Sequence, residues 1–237
     1  MKKYNLLKLV VLSVLVALGV VISPILRFEG MCPMAHLINI VCSVLMGPWA
    51  SLFCALIIGV IRMTVMGIPP IAITGAIFGA YFSGLLYRLS KGKLIFAVLG
   101  EIIGTGIIGA ILSYPVMTLF CGKDGLSWLF YVPSFICGTL IGGSIAYLLL
   151  RKLSNSGLLT QFQTKLGEKA YSDISGVYEN AAAIAALGVI FYTVTKILTG
   201  IFKMESVIWT YIAFSLLALF IIAAVIYLIK KRAVKQK

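Results

Sequence analysis

The sequence predicts an all-α, polytopic membrane protein: a helical bundle with a six-helix core and two extra C-terminal transmembrane helices. Three observations carry this. The apolar residues fall into runs of about 20, the length that crosses a hydrocarbon core of about 30 Å. Of the 237 residues, 61% are hydrophobic and only 11% charged, with a mean hydropathy of +1.09. Soluble domains carry about 25% charged residues, so this chain has too few polar groups to cover a globule in water. Finally, the basic residues stand at the ends of the apolar runs rather than on a face.

Glycine, proline and charge divide the first two-thirds into spans at about 5–26, 34–47, 49–66, 70–89, 93–120 and 129–150. The first follows Met1-Lys2-Lys3 in the manner of a signal peptide. Its run from Leu6 to Ile25 is longer than a usual h-region, however, and ends in Ser23-Pro24 with no small-x-small cleavage site, so it reads as a retained helix. Only Gly47-Pro48-Trp49 separates the second span from the third, which predicts a tight turn. The second is short and therefore starts in a loop or tilts little. The fourth and fifth carry small residues at four-residue spacing: Gly75-Gly79-Ser83, Ala76-Ala80-Gly84, Gly100-Gly104 and Gly106-Ala110. Such spacing lets helix backbones approach closely in lipid, where van der Waals contact replaces the hydrophobic effect. Ser13-Ala17 repeats the pattern in the first helix, where the neighbour is either a helix of the bundle or a partner protein. Residues 151–179 are polar and read as a loop or a surface helix, and two more apolar runs follow at about 180–202 and 205–229. The expected division is a six-helix unit at 1–155, a polar cytoplasmic linker at 156–179 and a two-helix extension at 180–237.

A net charge of +13 raises the question of nucleic acid. A nucleic-acid face would cluster its cations among exposed aromatics. Here Lys2, Lys3 and Lys8 precede the first run, Arg88, Lys91 and Lys93 divide two others, and Arg151 and Lys152 follow the sixth. Lys230, Lys231, Arg232, Lys235 and Lys237 close the chain, while the opposite loops hold only Arg27, Lys123 and Lys203. By the positive-inside rule both termini are cytoplasmic, in a multi-pass protein of the cell membrane. The implied partner of the surface is lipid, with no nucleic acid. The five cysteines show no metal spacing. Cys32 and Cys121 fall in loops on the same outer side, a placement that permits a disulfide.

A polar residue inside a span is costly and becomes a functional candidate. His36 and Asn39 share one face of the second helix, and Arg62 lies near the outer end of the third. Glu101 and Thr105 sit four apart on the fifth, Tyr114 precedes Pro115 near its outer end, and Lys196 lies in the seventh. Each has a structural reading beside the functional one. Arg62 and Lys196 can snorkel, His36 can satisfy backbone groups near a helix start, and Asn39 can bridge helices. Glu101, about 10 Å deep by helix rise, can partner a helix backbone, a tyrosine or Arg62. His36, Asn39, Arg62, Thr105 and Tyr114 gather toward the outer half, at the level of Trp128, Tyr131 and Phe135. An apolar chamber with a few convergent polar groups is the signature of a small-molecule site, although Trp128 and Tyr131 suit an interfacial belt equally.

There is no GxxxxGK[ST] loop, no GxSxG elbow and no HExxH pair, and the chain has a single histidine. No cofactor is expected. An acid–base enzyme using Glu101 and His36 is disfavoured because helix rise places them about 10–15 Å apart in depth, too far for proton transfer at about 3 Å.

The motifs MCPMAHLINIVCSVLMGPW (31–49), TGAIFGAYFSGLLYR (74–88), GEIIGTGIIGAILSYPV (100–116) and YVPSFICGTLIGGSIAYLLL (131–150), with Arg62 between the first two, resemble the ThiW family. These are thiazole-precursor substrate-binding (S) components of energy-coupling factor transporters. The likeness covers roughly residues 5–155. It implies a six-helix bundle with an outward-facing site capped by the loop at about 27–34, and hydroxyethylthiazole as substrate. It also implies a transmembrane coupling subunit and ATPase subunits as partners, with Ser13 and Ala17 facing the coupling subunit, and toppling of the loaded bundle to carry substrate inward. On that footing His36, Asn39 and Arg62 would hydrogen-bond the ligand, with Thr105 beside them. Tyr114 and Tyr131 would stack or offer hydroxyls, and Glu101 would face the ring nitrogen or only hold helices together. A small neutral heteroaromatic suits a pocket of few charges, as do other vitamins. The two C-terminal helices depart from the family pattern. Alternatives are an S component for another small metabolite and a structural or assembly protein.

Overall fold

A computed structural model describes residues 6–25, 27, 32–171, 176–201 and 207–235. Its regular elements, among the described residues, are all helices. They are α1 (Leu6–Ile22), α2 (Pro33–Met66), α3 (Ile71–Leu89), α4 (Leu94–Glu101), a π-helical segment (Ile102–Gly109), α5 (Ala110–Cys121), α6 (Val132–Asn155), α7 (Leu158–Lys165), α8 (Val177–Ile201) and α9 (Val207–Lys235). Several of these are long and apolar enough to cross a membrane, and the protein is a multi-pass membrane protein. The chain forms two compact units, Met1–Asp173 and Ile174–Lys237.

Within the first unit α2 is not one rod. Gly47 has φ 83° and ψ 176°, which breaks the helical ladder. The two limbs then fold back on each other: Ser51 Oγ donates to the carbonyl of Asn39 at 2.9 Å, twelve residues earlier. At the far end Arg62 Nη2 reaches Cys32 Sγ at 3.2 Å. Gly47-Pro48 is thus the tight turn the sequence predicts, and glycine is needed there because φ is positive.

The small-residue ridges seat α3 against the long helix formed by α4, the π segment and α5. A Cβ on Gly100 would stand 2.7 Å from the Cα of Ser83, and one on Gly104 would stand 2.5 Å from the carbonyl oxygen of Phe78. Gly84 lies against Pro48, where a Cβ would be 2.6 Å from its Cα. Gly142 of α6 packs on the carbonyl of Pro33 and on His36. Hydroxyls add cross-helix bonds of 2.7 Å from Ser43 to Ser83 and from Thr74 to Ser113.

The polar stretch after α6 contains α7, which belongs to the first unit. Gln163 is fully buried and donates to the carbonyl of Val44 at 2.9 Å and to Tyr87 Oη at 3.0 Å. Glu168, just beyond, pairs with Lys8 and Arg88. This basic end of the unit also carries the Gly47 turn.

Two expectations change here. Cys32 and Cys121 are free thiols, Cys32 turned onto Arg62 and Cys121 exposed at the end of α5. The long helix of the fifth span is continuous but π-helical through its middle. Lys2, Lys3, Lys203 and Lys237, and residues 28–31 of the expected capping loop, lie outside the described residues.

The second unit is an α8–α9 hairpin. Gly188 admits the Phe220 side chain, Phe191 stacks on Phe220 at 5.3 Å, and Asn180 Nδ2 donates to Tyr227 Oη at 2.8 Å. The exposed Lys196 lies 3.5 Å from Thr210 Oγ1.

Candidate functional site

At the end of the first unit away from Gly47, α2, α3 and α6 enclose a cavity of about 70 Å³. Its lining includes Arg27, Cys32, His36, Arg62, Gly75, Thr105, Ser134 and Phe135. Beneath it lies a buried polar cluster centred on Glu101, which is fully buried. Three donors converge on Glu101 Oε1: His36 Nδ1 at 2.9 Å, Asn39 Nδ2 at 3.0 Å and Thr105 Oγ1 at 3.1 Å. A carboxylate only accepts, so Nδ1 of His36 is the protonated nitrogen of this contact. Asn39 Nδ2 also approaches the carbonyl of Ala76 at 3.3 Å, joining α2, α3 and α4 through one side chain. Glu101 Oε2 is buried with no hydrogen-bond partner.

Backbone geometry makes room for this cluster. On α3, a Cβ at Gly79 would stand 2.8 Å from the Glu101 carboxyl carbon and closer still to Thr105 Oγ1. The π segment begins at Ile102, directly after Glu101, and holds Thr105. Helical segments of this wide-turned kind are often found at functional sites.

The separation expected between His36 and Glu101 is therefore wrong: they touch. The limb from Pro33 to Met46 rises only about 20 Å at 1.5 Å per residue, about two-thirds of a 30 Å core. Depth counted by helix rise assumes a span that reaches both surfaces, so it misplaces His36 on this short limb. Register across α3 does the rest. Ser43 pairs with Ser83, and Gly100 seats against the same residue, so Glu101 faces the turn between Ser43 and Asn39. The distance objection to shared proton chemistry between these two residues no longer stands.

Arg62 is 5% exposed, so it sits inside the bundle rather than snorkelling from its surface. Its Nη2 contacts Cys32 Sγ, and its Nε is buried with no hydrogen-bond partner. Tyr114 and Tyr131 do not line the cavity. Tyr114 pairs with Trp128 at 4.7 Å, and Tyr131 lies behind Phe135 at 6.0 Å between centroids. Phe135 is the aromatic of the lining itself, its ring lying over Gly75, where a Cβ would come within 2.7 Å.

The cavity is about half the volume, about 150 Å³, of an apolar cavity that holds benzene.

Ser13 and Ala17 stand elsewhere. They line an open groove of about 480 Å³ with Leu12, Val16, Val20, Val21, Ile57 and Ile61, between α1 and the second limb of α2. Ser13 Oγ is satisfied by the carbonyl of Leu9 at 3.0 Å, which leaves only a small apolar profile. Among the described residues no cluster of His, Cys, Asp and Glu could hold a metal.

A family model described as thiamine-precursor transporter protein (ThiW) matches residues 9–156, which hold both the cavity and the Glu101 cluster. No curated protein and no solved structure matches the chain.

Proposed function

This chain belongs to the ThiW family of thiamine-precursor transporter proteins, and we propose that it is the substrate-capture (S) subunit of an energy-coupling factor importer. Its substrate is the thiazole precursor of thiamin, hydroxyethylthiazole or a close relative. The observation that carries the reading is the cavity over the Glu101 cluster, in which His36, Thr105 and Arg62 offer polar atoms beside the Phe135 ring. Glu101 fixes His36 through Nδ1 and leaves Nε2 as an acceptor for a ligand hydroxyl. Asn39 holds α2, α3 and α4 around the floor. Tyr131 backs Phe135 and so acts on the ligand through it.

In this reading both termini are cytoplasmic, so the basic end with Lys8, Arg88 and Glu168 faces the cytoplasm and the cavity opens outward. ATPase subunits supply the energy, acting through a transmembrane coupling subunit. The groove over Ser13 and Ala17 is where that subunit's helices dock, because small residues admit close backbone approach in lipid. The α8–α9 hairpin is an appendage to the capture unit, which extends through α7.

The test is titration calorimetry of the full chain in detergent with hydroxyethylthiazole, using thiamin and riboflavin as controls. Selective binding of the thiazole, weakened about tenfold or more (1.4 kcal/mol per decade) by His36→Ala, supports the assignment. Equal binding of all three, or of none, removes it.

A further inference from the structure

The cavity presents positive charge with no acid among the described residues of its lining. Arg27 and Arg62 both line it, and the carboxylate beneath, Glu101, already holds three donors. No salt bridge joins Arg62 to an acid among the described residues, although its side chain is buried and its Nε has no partner. A guanidinium taken out of water without an anion is costly, and proteins pair buried charges or use them. The thiol of Cys32 is a weak acceptor and does not discharge that cost.

Helix ends point the same way. The N-termini of α2, α3 and α6 converge here, through Cys32 and Ala35, Ile71 and Ala72, and Ser134 and Phe135. None of the three has a side-chain cap, while the amides of Ala35, Ala72 and Phe135 already donate to backbone carbonyls. Each N-terminus carries a partial positive charge, which favours an anion in front of it.

Building on the thiazole-capture reading, we propose that this cavity selects ligands that carry an acidic group. That group, a phosphate monoester or a carboxylate, sits on Arg62 at the converging helix N-termini. The ring lies against Phe135, with His36 below. Sequence alone suggests a neutral heteroaromatic because the pocket has few charges, whereas the fold buries Arg62 beside three helix starts.

The experiment is calorimetry on the full chain in lipid nanodiscs with four probes: hydroxyethylthiazole, its phosphate monoester, 4-methylthiazole-5-acetate, and phenyl phosphate as an anion without the thiazole. The expected result is that at least one anionic thiazole binds about tenfold tighter than the alcohol (1.4 kcal/mol), and whichever does so distinguishes phosphate from carboxylate. Arg62→Gln should erase the difference. Arg62→Lys should keep part of it, since a lysine supplies the charge without the planar fork. Thermal unfolding of both variants checks that they fold. Glu29, the acid of the α1–α2 connection, lies outside the described residues, and Glu29→Gln should leave the preference in place. If the alcohol binds as tightly as the anionic thiazoles, or if Glu29→Gln abolishes the preference, the inference is overturned while thiazole capture stands. If phenyl phosphate binds as tightly as the thiazole phosphate, and both bind through Arg62, the anion site stands and the thiazole assignment fails. Binding of none overturns both.

Discussion

Nδ1 of His36 lies 2.9 Å from Oε1 of Glu101, a contact between residues 65 positions apart that closes the floor of the cavity. Removing the carboxylate strands the His36, Asn39 and Thr105 donors together. Hydrogen bonds to charged groups contribute about 1.5–3 kcal/mol each in water-soluble proteins, and side-chain bonds in a membrane bundle average about 0.6 kcal/mol. Glu101→Ala should therefore destabilise the first unit by about 2–5 kcal/mol, overlapping the roughly 3–5 kcal/mol for breaking a buried pair. The measurement is thermal unfolding in detergent. Adding His36→Ala should give a non-additivity of about 0.5–3 kcal/mol. Strict additivity would mean that the two side chains do not depend on each other.

Gly79 is the residue that makes room for that floor. Gly79→Ala should cost about 1–3 kcal/mol by overpacking, because the new methyl group meets Thr105 Oγ1 and the Glu101 carboxyl. Thr105→Ala removes one of those obstacles, so the double variant should recover part of the loss. Gly104→Ala offers no such relief, since its new methyl group meets the Phe78 carbonyl and the Gly79 Cα, both backbone. Comparing melting temperatures of the two glycine variants with and without Thr105→Ala separates the cases. Equal rescue of both would contradict the contact geometry.

Much of this fold is legible in the sequence because lipid imposes simple rules. Run length locates the spans, and the ridges of Gly75, Gly79, Gly100 and Gly104 mark where α3 meets its neighbour. Gly47-Pro48 marks the turn within α2. The candidate site is less legible, for identifiable reasons. Helix rise gives depth only when a span reaches both surfaces, and the limb that starts at Pro33 does not. Hence His36 and Asn39 are recognisable as candidates, but their meeting with Glu101 is not. Phe135 and Ser134 enter the lining because α6 starts beside α2, a tertiary fact that leaves no local pattern. The π segment has none either: Ile102–Gly109 has the composition of any glycine-rich membrane helix.

Gln163 shows how a polar side chain far along the chain repairs the α2 turn. Residue 48 would be the helical donor to the Val44 carbonyl, but proline has no N–H. Gln163 Nε2 takes that place at 2.9 Å and ties α7 to the bundle. Gln163→Leu keeps bulk but leaves the carbonyl buried without a donor, which costs about 1–3 kcal/mol. The expected outcome is a lower melting temperature together with faster proteolysis within 156–171. If cleavage there is unchanged, α7 is held by other contacts.

Capture and delivery should separate genetically, because the cavity and the α1 groove use different residues. Ser13→Leu with Ala17→Leu fills a groove whose walls are Leu12, Val16, Val20, Val21, Ile57 and Ile61, so no helix can approach closely there. α1 buries Leu15 and Gly19 against the bundle and leaves most of its remaining surface outward, so the double substitution does not disturb the first unit's core. Ligand affinity in calorimetry should then stay within about twofold, under 0.5 kcal/mol. In the importer proposed above, uptake of radiolabelled thiazole by cells that also express coupling and ATPase subunits should fall about tenfold or more. A loss of affinity equal to the loss of uptake would place the effect in the cavity. Unchanged uptake would show that the partner docks on another face.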